Sequence, residues 1–227
     1  RSVYLDYNAT APTAVEVQVS ICDALKNAWG NPTSSHAAGD EARKLTDKAR
    51  SDVAAVIGAR QQEIVFTSGG TESNNMIVHS SVRYFKKIKH NYAALANYDI
   101  PHCITSNVEH KSILLPLKYL KENGSIDLTI VPVSKSSGSV VAEDVISAIR
   151  PHTIFISVML AQNETGILQP IADIGALLEE VNKRRRKESL PEILFHTDAA
   201  QAIGKVKIDV DILRVDYLTI AGHKVCG

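Results

Sequence analysis

Apolar and polar residues follow a helical period in some stretches of this chain and form short apolar runs in others. The helical period predicts helices, and apolar runs bounded by turn residues predict strands. The predicted helices are 13–29, 36–57, 72–89, 110–122, 142–149 and 171–187. The predicted strands are 63–67, 102–106, 128–133, 153–160, 193–197 and 217–221. The stretch 90–101 has no clear period, which predicts a surface loop or insertion.

The order of these elements predicts the fold class. Strands alternate with helices, and several strands are apolar on both faces, as is typical of a parallel sheet covered on both sides. We therefore predict an α/β fold with a mostly parallel sheet and helices on both faces. Ligands of such folds bind at the carboxyl ends of the strands, so polar groups that follow strands are the candidates for a site.

Composition narrows the classes of protein. The 227 residues carry 25 Lys plus Arg and 25 Asp plus Glu, and this balance argues against a nucleic-acid binder. No run is long enough to span a bilayer, and we find no secretory signal. The basic run 183–187 fits a solvated last helical turn. Because the chain does not begin with Met, we expect a leader or tag upstream.

The cysteines indicate the compartment. Cys22, Cys103 and Cys226 are odd in number and have no CxxC spacing. We therefore expect neither a disulfide framework nor a metal site, and a reducing compartment, the cytosol, fits best. Cys22 and Cys103 are interpreted as small buried hydrophobic residues.

A Gly-Gly turn follows the first predicted strand. Gly69 and Gly70 precede a helix, and their backbone N–H groups, the helix start and the Thr71 hydroxyl form a candidate phosphate cradle. The turn is neither a P-loop nor a dinucleotide fingerprint. Taken alone, it is more often a structural turn.

Charged groups follow two later strands. Asp198 could hold a protonated ring nitrogen, with Gln201 on the same face, or it could cap a helix. Lys224 follows the last predicted strand and is a candidate Schiff-base nucleophile, although most lysines lie at the surface. Its neighbour His223, considered singly, is most often structural.

Two more polar residues follow strands. His110 could stack on a flat ring or move protons. Asn163 could bind a phenolate oxygen or a carboxylate, or could serve its own turn. Each group alone has a structural explanation, but together they match the needs of pyridoxal 5'-phosphate (PLP): an anchored phosphate, a carboxylate at the ring nitrogen and a Schiff-base lysine.

Longer motifs carry a family resemblance. They are YLDYNATAP (4–12), WGNPTSSHAAG (29–39), IVFTSGGTESNN (64–75), ITSNVEHKSIL (104–114), VMLAQNETGILQPI (158–171), FHTDAAQAIGK (195–205) and DYLTIAGHK (216–224). The chain resembles the class V aminotransferase-like PLP enzymes of fold type I, in the cysteine desulfurase and selenocysteine lyase group, and is most similar to the selenocysteine lyase branch. Ala221, where desulfurases usually carry Ser, fits that branch.

The resemblance implies a role for each candidate residue. Lys224 would carry PLP, Asp198 would pair with the pyridinium nitrogen, and His110 would stack on the ring and assist proton transfer. Gln201 would bond the phenolic oxygen, and Asn163 would contact that oxygen or the substrate carboxylate.

The remaining roles concern the phosphate and the substrate. Gly70, Thr71 and His223 would bind the phosphate. Ala9 and Thr10 would lie beside the substrate, across the interface of a homodimer.

The implied reaction converts L-selenocysteine or L-cysteine to L-alanine. Selenium or sulfur would pass to a catalytic cysteine or to an acceptor protein. A PLP-dependent aminotransferase is the alternative within the same fold class.

The end of the chain departs from the family pattern. After Lys224 the sequence reads Val225-Cys226-Gly227, and the small C-terminal domain that would carry the catalytic cysteine and the carboxylate-binding arginine is missing. We therefore expect a truncated chain: residues 1–30 contribute to the active site and dimer, and residues 31–227 form an incomplete PLP-binding large domain. A catalytically inactive fragment is the second hypothesis.

Overall fold

A computed structural model describes residues 2–225; Cys226, considered above, lies outside the described residues. In chain order, the α-helices are α1 (Val15–Asn27), α2 (Ala37–Ile57), α3 (Gly70–Ile88), α4 (Lys111–Glu122), α5 (Ala142–Ser147), α6 (Ile171–Lys187) and α7 (Val210–Leu213). The strands are β1 (His102–Ser106), β2 (Asp127–Val131), β3 (Thr153–Ser157), β4 (Leu194–Asp198) and β5 (Tyr217–Thr219). Short 3₁₀ turns are Gln61–Glu63, Lys89–Asn91, Ala93–Leu95 and Gly222–Lys224.

The larger of two compact units contains the sheet. This unit comprises Thr67–Ala202 and Ile212–Ile220. Its strands pair in the order β2-β1-β3-β4-β5, and every pairing is parallel. All residues of β1 and β3 are buried, as expected for a sheet covered on both faces. The predicted parallel α/β fold is confirmed.

The core of this unit joins α3 and α4 to the sheet. Val78 and Phe85 of α3, Leu117 of α4 and Phe155 of β3 are fully buried in one apolar cluster. Cys103 of β1 belongs to the same cluster, as predicted. Burial of these faces holds the first turns of α3 and α4, where candidate site residues lie, against the strands.

The smaller unit comprises the described residues up to Phe66, together with Ile203–Asp211 and the segment from Ala221. The ring of His36 caps α2 by accepting a hydrogen bond from the Gly39 amide. Gly58 ends α2 in a left-handed conformation with φ of 72°, which glycine adopts without a steric penalty. The division into residues 1–30 and 31–227 stays a prediction.

The predicted strand 63–67 is wrong. The described chain forms a 3₁₀ turn at Gln61–Glu63, and residues 64–67 pair with no strand. The Arg50 guanidinium bonds the Ile64 carbonyl and lies 4.8 Å from the Phe66 ring centroid. The Arg50 side chain thus makes the hydrogen bond that the Ile64 carbonyl would otherwise accept from a neighbouring strand.

The stretch 90–101 lies mostly at the surface, as predicted, but three of its side chains are anchored in the core. Two 3₁₀ turns lie here, Lys89–Asn91 and Ala93–Leu95, and Leu95, the last residue of the second turn, is fully buried. Tyr92 and Tyr98 pack against the main core. Local periodicity does not show the burial of Leu95, because that burial comes from residues far away in the chain.

Two further expectations are corrected. Cys22 is exposed, since α1 has no buried residue in the described part of the chain. The basic run is not wholly solvated: Arg185 is buried, and its guanidinium donates to the carbonyls of Arg150, Pro151, Thr153 and Pro191. A guanidinium with four of its five N–H donors directed at carbonyls tolerates burial.

The bounds of several elements differ from prediction by a few residues. β3 ends at Ser157 instead of residue 160, β5 ends at Thr219 instead of 221, and α5 ends at Ser147 instead of 149. None of the described helices combines the length and apolarity that a bilayer crossing needs.

Candidate functional site

The site in the larger unit lies where strands end. β1 leads to His110, β3 leads to the loop with Asn163, and β4 ends in Asp198. Because all strands are parallel, their carboxyl ends share one edge of the sheet. The topology therefore places these three predicted residues at the same edge.

The Gly-Gly loop, residues 67–70, leads into the 19-residue helix α3. Gly70 is the first helical residue, and Thr71 is exposed in the first turn. The Thr67 and Ser73 hydroxyls lie 2.8 Å apart, and Glu72 accepts from the Ser68 amide at 2.5 Å. These bonds stabilise the entry into a helix whose first N–H groups have no intrahelical partner.

Asp198 is held by two donors. The residue is 5% exposed. Oδ1 accepts from the Ala200 amide at 2.9 Å, and Oδ2 accepts from Asn74 Nδ2 at 2.8 Å. Turns, not a helix, follow Asp198, so the helix-cap alternative is wrong. Each carboxylate oxygen retains a second lone pair for a cation or donor.

His110 caps α4. Its Nδ1 accepts from the Ser112 amide at 3.2 Å and lies 2.7 Å from Ser112 Oγ. Ser112 Oγ in turn accepts from Asn74 Nδ2 at 2.8 Å. The structure thus connects His110 and Asp198 through two intervening side chains, Ser112 and Asn74.

Sequence reasoning missed Asn74, Ser112 and Glu109. Each stands inside a motif already singled out, but no local signal shows which way its side chain points. The bond between Asn74 and Asp198 spans 124 residues.

Glu109 is a buried carboxyl group beside His110. Its Oε1 accepts from Ser106 Oγ at 2.6 Å and from the Met159 amide at 2.9 Å. Its Oε2 is buried and has no hydrogen-bond partner among the described residues. Burial raises the pKa of Glu109 to about 8, helped by the Asp198 charge and opposed by the two hydrogen bonds. The side chain ties the turn before His110 to the exit of β3.

Asn163 and Gln201 lie in turns after β3 and β4. The Asn163 loop is closed by a bridge between Ala161 and Leu168. The Gln162 side chain stabilises this loop, since its Oε1 accepts from the amides of Glu164 and Thr165. Gln201 is buried, three residues after Asp198.

The smaller unit holds the other predicted residues. Lys224 is half-buried in the 3₁₀ turn Gly222–Lys224. The Thr10 hydroxyl lies 3.2 Å from His223 Nδ1, and the Ala11 amide donates to the His223 carbonyl at 2.9 Å. The Ala9 amide donates to the Asp6 carbonyl at 3.1 Å. This unit therefore brings the segment of residues 9–11 onto the turn that carries His223 and Lys224.

The donor set of the larger unit fits PLP. Asp198 offers a buried carboxylate for a pyridinium nitrogen, and His110 offers a flat ring. Gly69 has φ of 156°, and a Cβ there would meet no atom within 4 Å, so open space adjoins the start of α3. An open approach to a helix N-terminus suits a phosphate.

A parallel α/β sheet with a ligand-binding edge at the carboxyl ends of its strands is the class of protein that this fold and site define. The sequence pattern of the class-V aminotransferase family matches residues 3–227, and the chain belongs to this family. Selenocysteine lyase of Xenopus tropicalis is 50% identical over 99% of this chain, and that of Homo sapiens is 46% identical over 100%. A mitochondrial cysteine desulfurase of Arthroderma benhamiae is 42% identical over 100%.

Solved structures agree with these relatives. A NifS-like protein matches 100% of this chain and 56% of its own with a TM-score of 0.86 and 34% identity. SspA in complex with cysteine matches 100% of this chain and 58% of its own, with a TM-score of 0.84 and 36% identity. As predicted, the chain spans only about half of its curated relatives: 52% and 52% of the two lyases and 41% of the desulfurase.

Proposed function

We propose that this chain is the cofactor-binding part of a PLP-dependent lyase. The lyase converts L-selenocysteine or L-cysteine to L-alanine and releases selenium or sulfur. The observation that carries the proposal is Asp198, a buried carboxylate oriented by two donors and joined by hydrogen bonds to His110. Relatives named selenocysteine lyase, 46% and 50% identical over nearly the whole chain, support the substrate class.

Each proposed role follows from the chemistry of the side chain. Bound PLP supplies an electron sink for the substrate carbon that loses its proton. Asp198 holds the ring nitrogen in its protonated form, because an adjacent carboxylate favours the cation. His110 packs against the ring face, and Lys224 carries the cofactor covalently through its amine.

The remaining proposed residues anchor and orient. Gly70 and Thr71 bind the phosphate at the start of α3, together with His223. Gln201 and Asn163 bind the phenolic oxygen, and Asn163 alternatively contacts the substrate carboxylate. The segment Ala9-Thr10 lies beside the substrate, consistent with the hydrogen bond between Thr10 and His223.

Covalent trapping tests the cofactor site. The 227-residue chain is incubated with PLP, reduced with borohydride and mapped by peptide mass spectrometry. We expect the added mass on Lys224 and its loss in Lys224→Ala, while the matched control Lys205→Ala stays labelled at Lys224. Labelling at another lysine, or none, refutes the proposed site.

Product analysis separates the proposed lyase from its alternatives. Alanine formed from selenocysteine or cysteine, with one equivalent of selenium or sulfur that an added thiol reductant converts to selenide or sulfide for detection, supports the lyase. Cofactor bound at Lys224 without turnover favours an inactive fragment, which the coverage of about half of each relative makes a specific second candidate. Formation of one keto acid for each amino acid consumed favours an aminotransferase.

We also propose a homodimer in the cytosol that passes selenium or sulfur to an acceptor protein. The family resemblance supports the dimer and the acceptor, and cysteines without CxxC spacing suit a reducing compartment. Relatives named mitochondrial make fractionation of the native protein the decisive measurement of compartment.

A further inference from the structure

Asn74 lies at the centre of the hydrogen-bond chain between Asp198 and His110. It is fully buried, and its Nδ2 donates both to Asp198 Oδ2 and to Ser112 Oγ, each at 2.8 Å. Its Oδ1 is buried and has no partner among the described residues. A buried carbonyl oxygen without a hydrogen-bond partner lowers the stability of the folded protein. The contribution of Asn74 therefore lies at its NH₂ end, which makes both hydrogen bonds.

The Asp198 carboxylate sets the donor-to-acceptor direction of these hydrogen bonds. A carboxylate only accepts, so the NH₂ end of Asn74 must face it. The same NH₂ group donates to Ser112 Oγ, which leaves the serine proton free to be donated elsewhere. The acceptor within reach is His110 Nδ1, at 2.7 Å.

Two donors therefore share the single lone pair of His110 Nδ1. The Ser112 hydroxyl donates one hydrogen bond, and the Ser112 backbone amide donates the other at 3.2 Å. A nitrogen that accepts carries no proton, so the proton of a neutral ring lies on Nε2.

We propose that Asn74 and Ser112 are positioning residues that hold neutral His110 as the Nε2–H tautomer, with Asp198 setting the direction of the hydrogen bonds. His110 then presents a donor, not an acceptor, at Nε2. Taking a proton at Nδ1 requires both bonds from Ser112 to break. Only the consequence for a bound cofactor rests on the proposed function: there, His110 acts toward PLP and substrate as a hydrogen-bond donor.

Long-range ¹H–¹⁵N correlation of the imidazole ring tests the tautomer directly. The cofactor-free 227-residue chain is labelled with ¹⁵N-histidine and measured at about pH 8.5, above the ordinary range of imidazole titration. His110→Gln identifies the signal. We expect the Nε2–H pattern; a dominant Nδ1–H pattern overturns the proposal.

Substitutions at Ser112 distinguish positioning from a merely structural role. Ser112→Ala removes the hydroxyl but keeps the amide, and we expect the tautomer ratio to shift about fivefold toward Nδ1–H, the factor for one ordinary hydrogen bond. Ser112→Thr restores the hydroxyl and the wild-type ratio. Ser137→Ala, in an exposed turn, is the control. An unchanged ratio in Ser112→Ala overturns the proposal.

Asn74→Asp tests the donor-to-acceptor direction of the hydrogen bonds between Asp198 and His110. A carboxyl group at this position shares one proton with Asp198, and its oxygen accepts from Ser112 Oγ. This draws the serine proton away from His110, so we expect the same shift toward Nδ1–H. If this variant fails to fold, Ser112→Ala decides alone.

The NMR readout needs no cofactor, so a chain that binds no PLP refutes the proposed function and leaves the tautomer result standing. Conversely, if PLP is trapped on Lys224 but the neutral His110 ring carries its proton on Nδ1, the tautomer inference is refuted and the proposed function stands.

Discussion

Glu109→Gln is predicted to change how stability depends on pH. Glu109 is 7% exposed, and its Oε2 has no hydrogen-bond partner among the described residues. Burial raises the pKa of Glu109 to about 8 from an ordinary 4.5. The charged group that faces it from a packed element is Asp198, which raises the pKa further. Gln has nearly the shape of the neutral acid but no titrating proton.

The sign follows from proton binding. Between pH 4.5 and about 8, the folded protein retains a proton on Glu109 that the unfolded chain has released. The free energy of unfolding therefore falls as pH rises, by about 1.4 kcal/mol per pH unit for one full proton. Over the whole window this contribution is on the order of 5 kcal/mol.

Urea unfolding of the 227-residue chain at several pH values between 5 and 8 measures this contribution. We expect the wild type to lose stability relative to Glu109→Gln as pH rises. His102 and His196, whose pKa values burial lowers to about 4, add the opposite slope below pH 6.5, but they do so equally in both proteins. The control is Glu122→Gln, an exposed carboxylate of α4. Parallel pH profiles of wild type and Glu109→Gln refute the reasoning.

Two matched pairs of variants test the packing. Gly175→Ala places a Cβ 2.4 Å from the Leu213 carbonyl oxygen, and we expect a loss of about 3 kcal/mol in urea unfolding; Gly124→Ala, with φ of 72° and open space, costs about 1 kcal/mol. Equal losses contradict this account. Arg185→Met leaves buried carbonyls without their donor and costs about 3 kcal/mol, whereas exposed Arg184→Met stays within about 0.5 kcal/mol. If Arg185→Met keeps the wild-type free energy of unfolding, the Arg185 hydrogen bonds do not stabilise the fold.

Much of the fold is predictable from the chain because the signals are local. Period, turn residues and apolar runs lie within a few residues of one another, and they correctly indicated β1–β5 and the parallel class. The rule that ligands bind at carboxyl ends of strands then pointed to His110 and Asp198. The same local signals failed at 63–67, where Arg50 takes a carbonyl that a strand would have used.

What only the tertiary structure decided is which distant groups meet. Asn74 and Asp198 are 124 residues apart in the chain, and Asn74 and Ser112 are 38 apart, yet hydrogen bonds of 2.8 Å join them. Burial also depends on distant neighbours, which is why Leu95 is inside and Cys22 is exposed. A residue's type sets which bonds it can make, but the packing of helices on the sheet determines its partner and its protonation state.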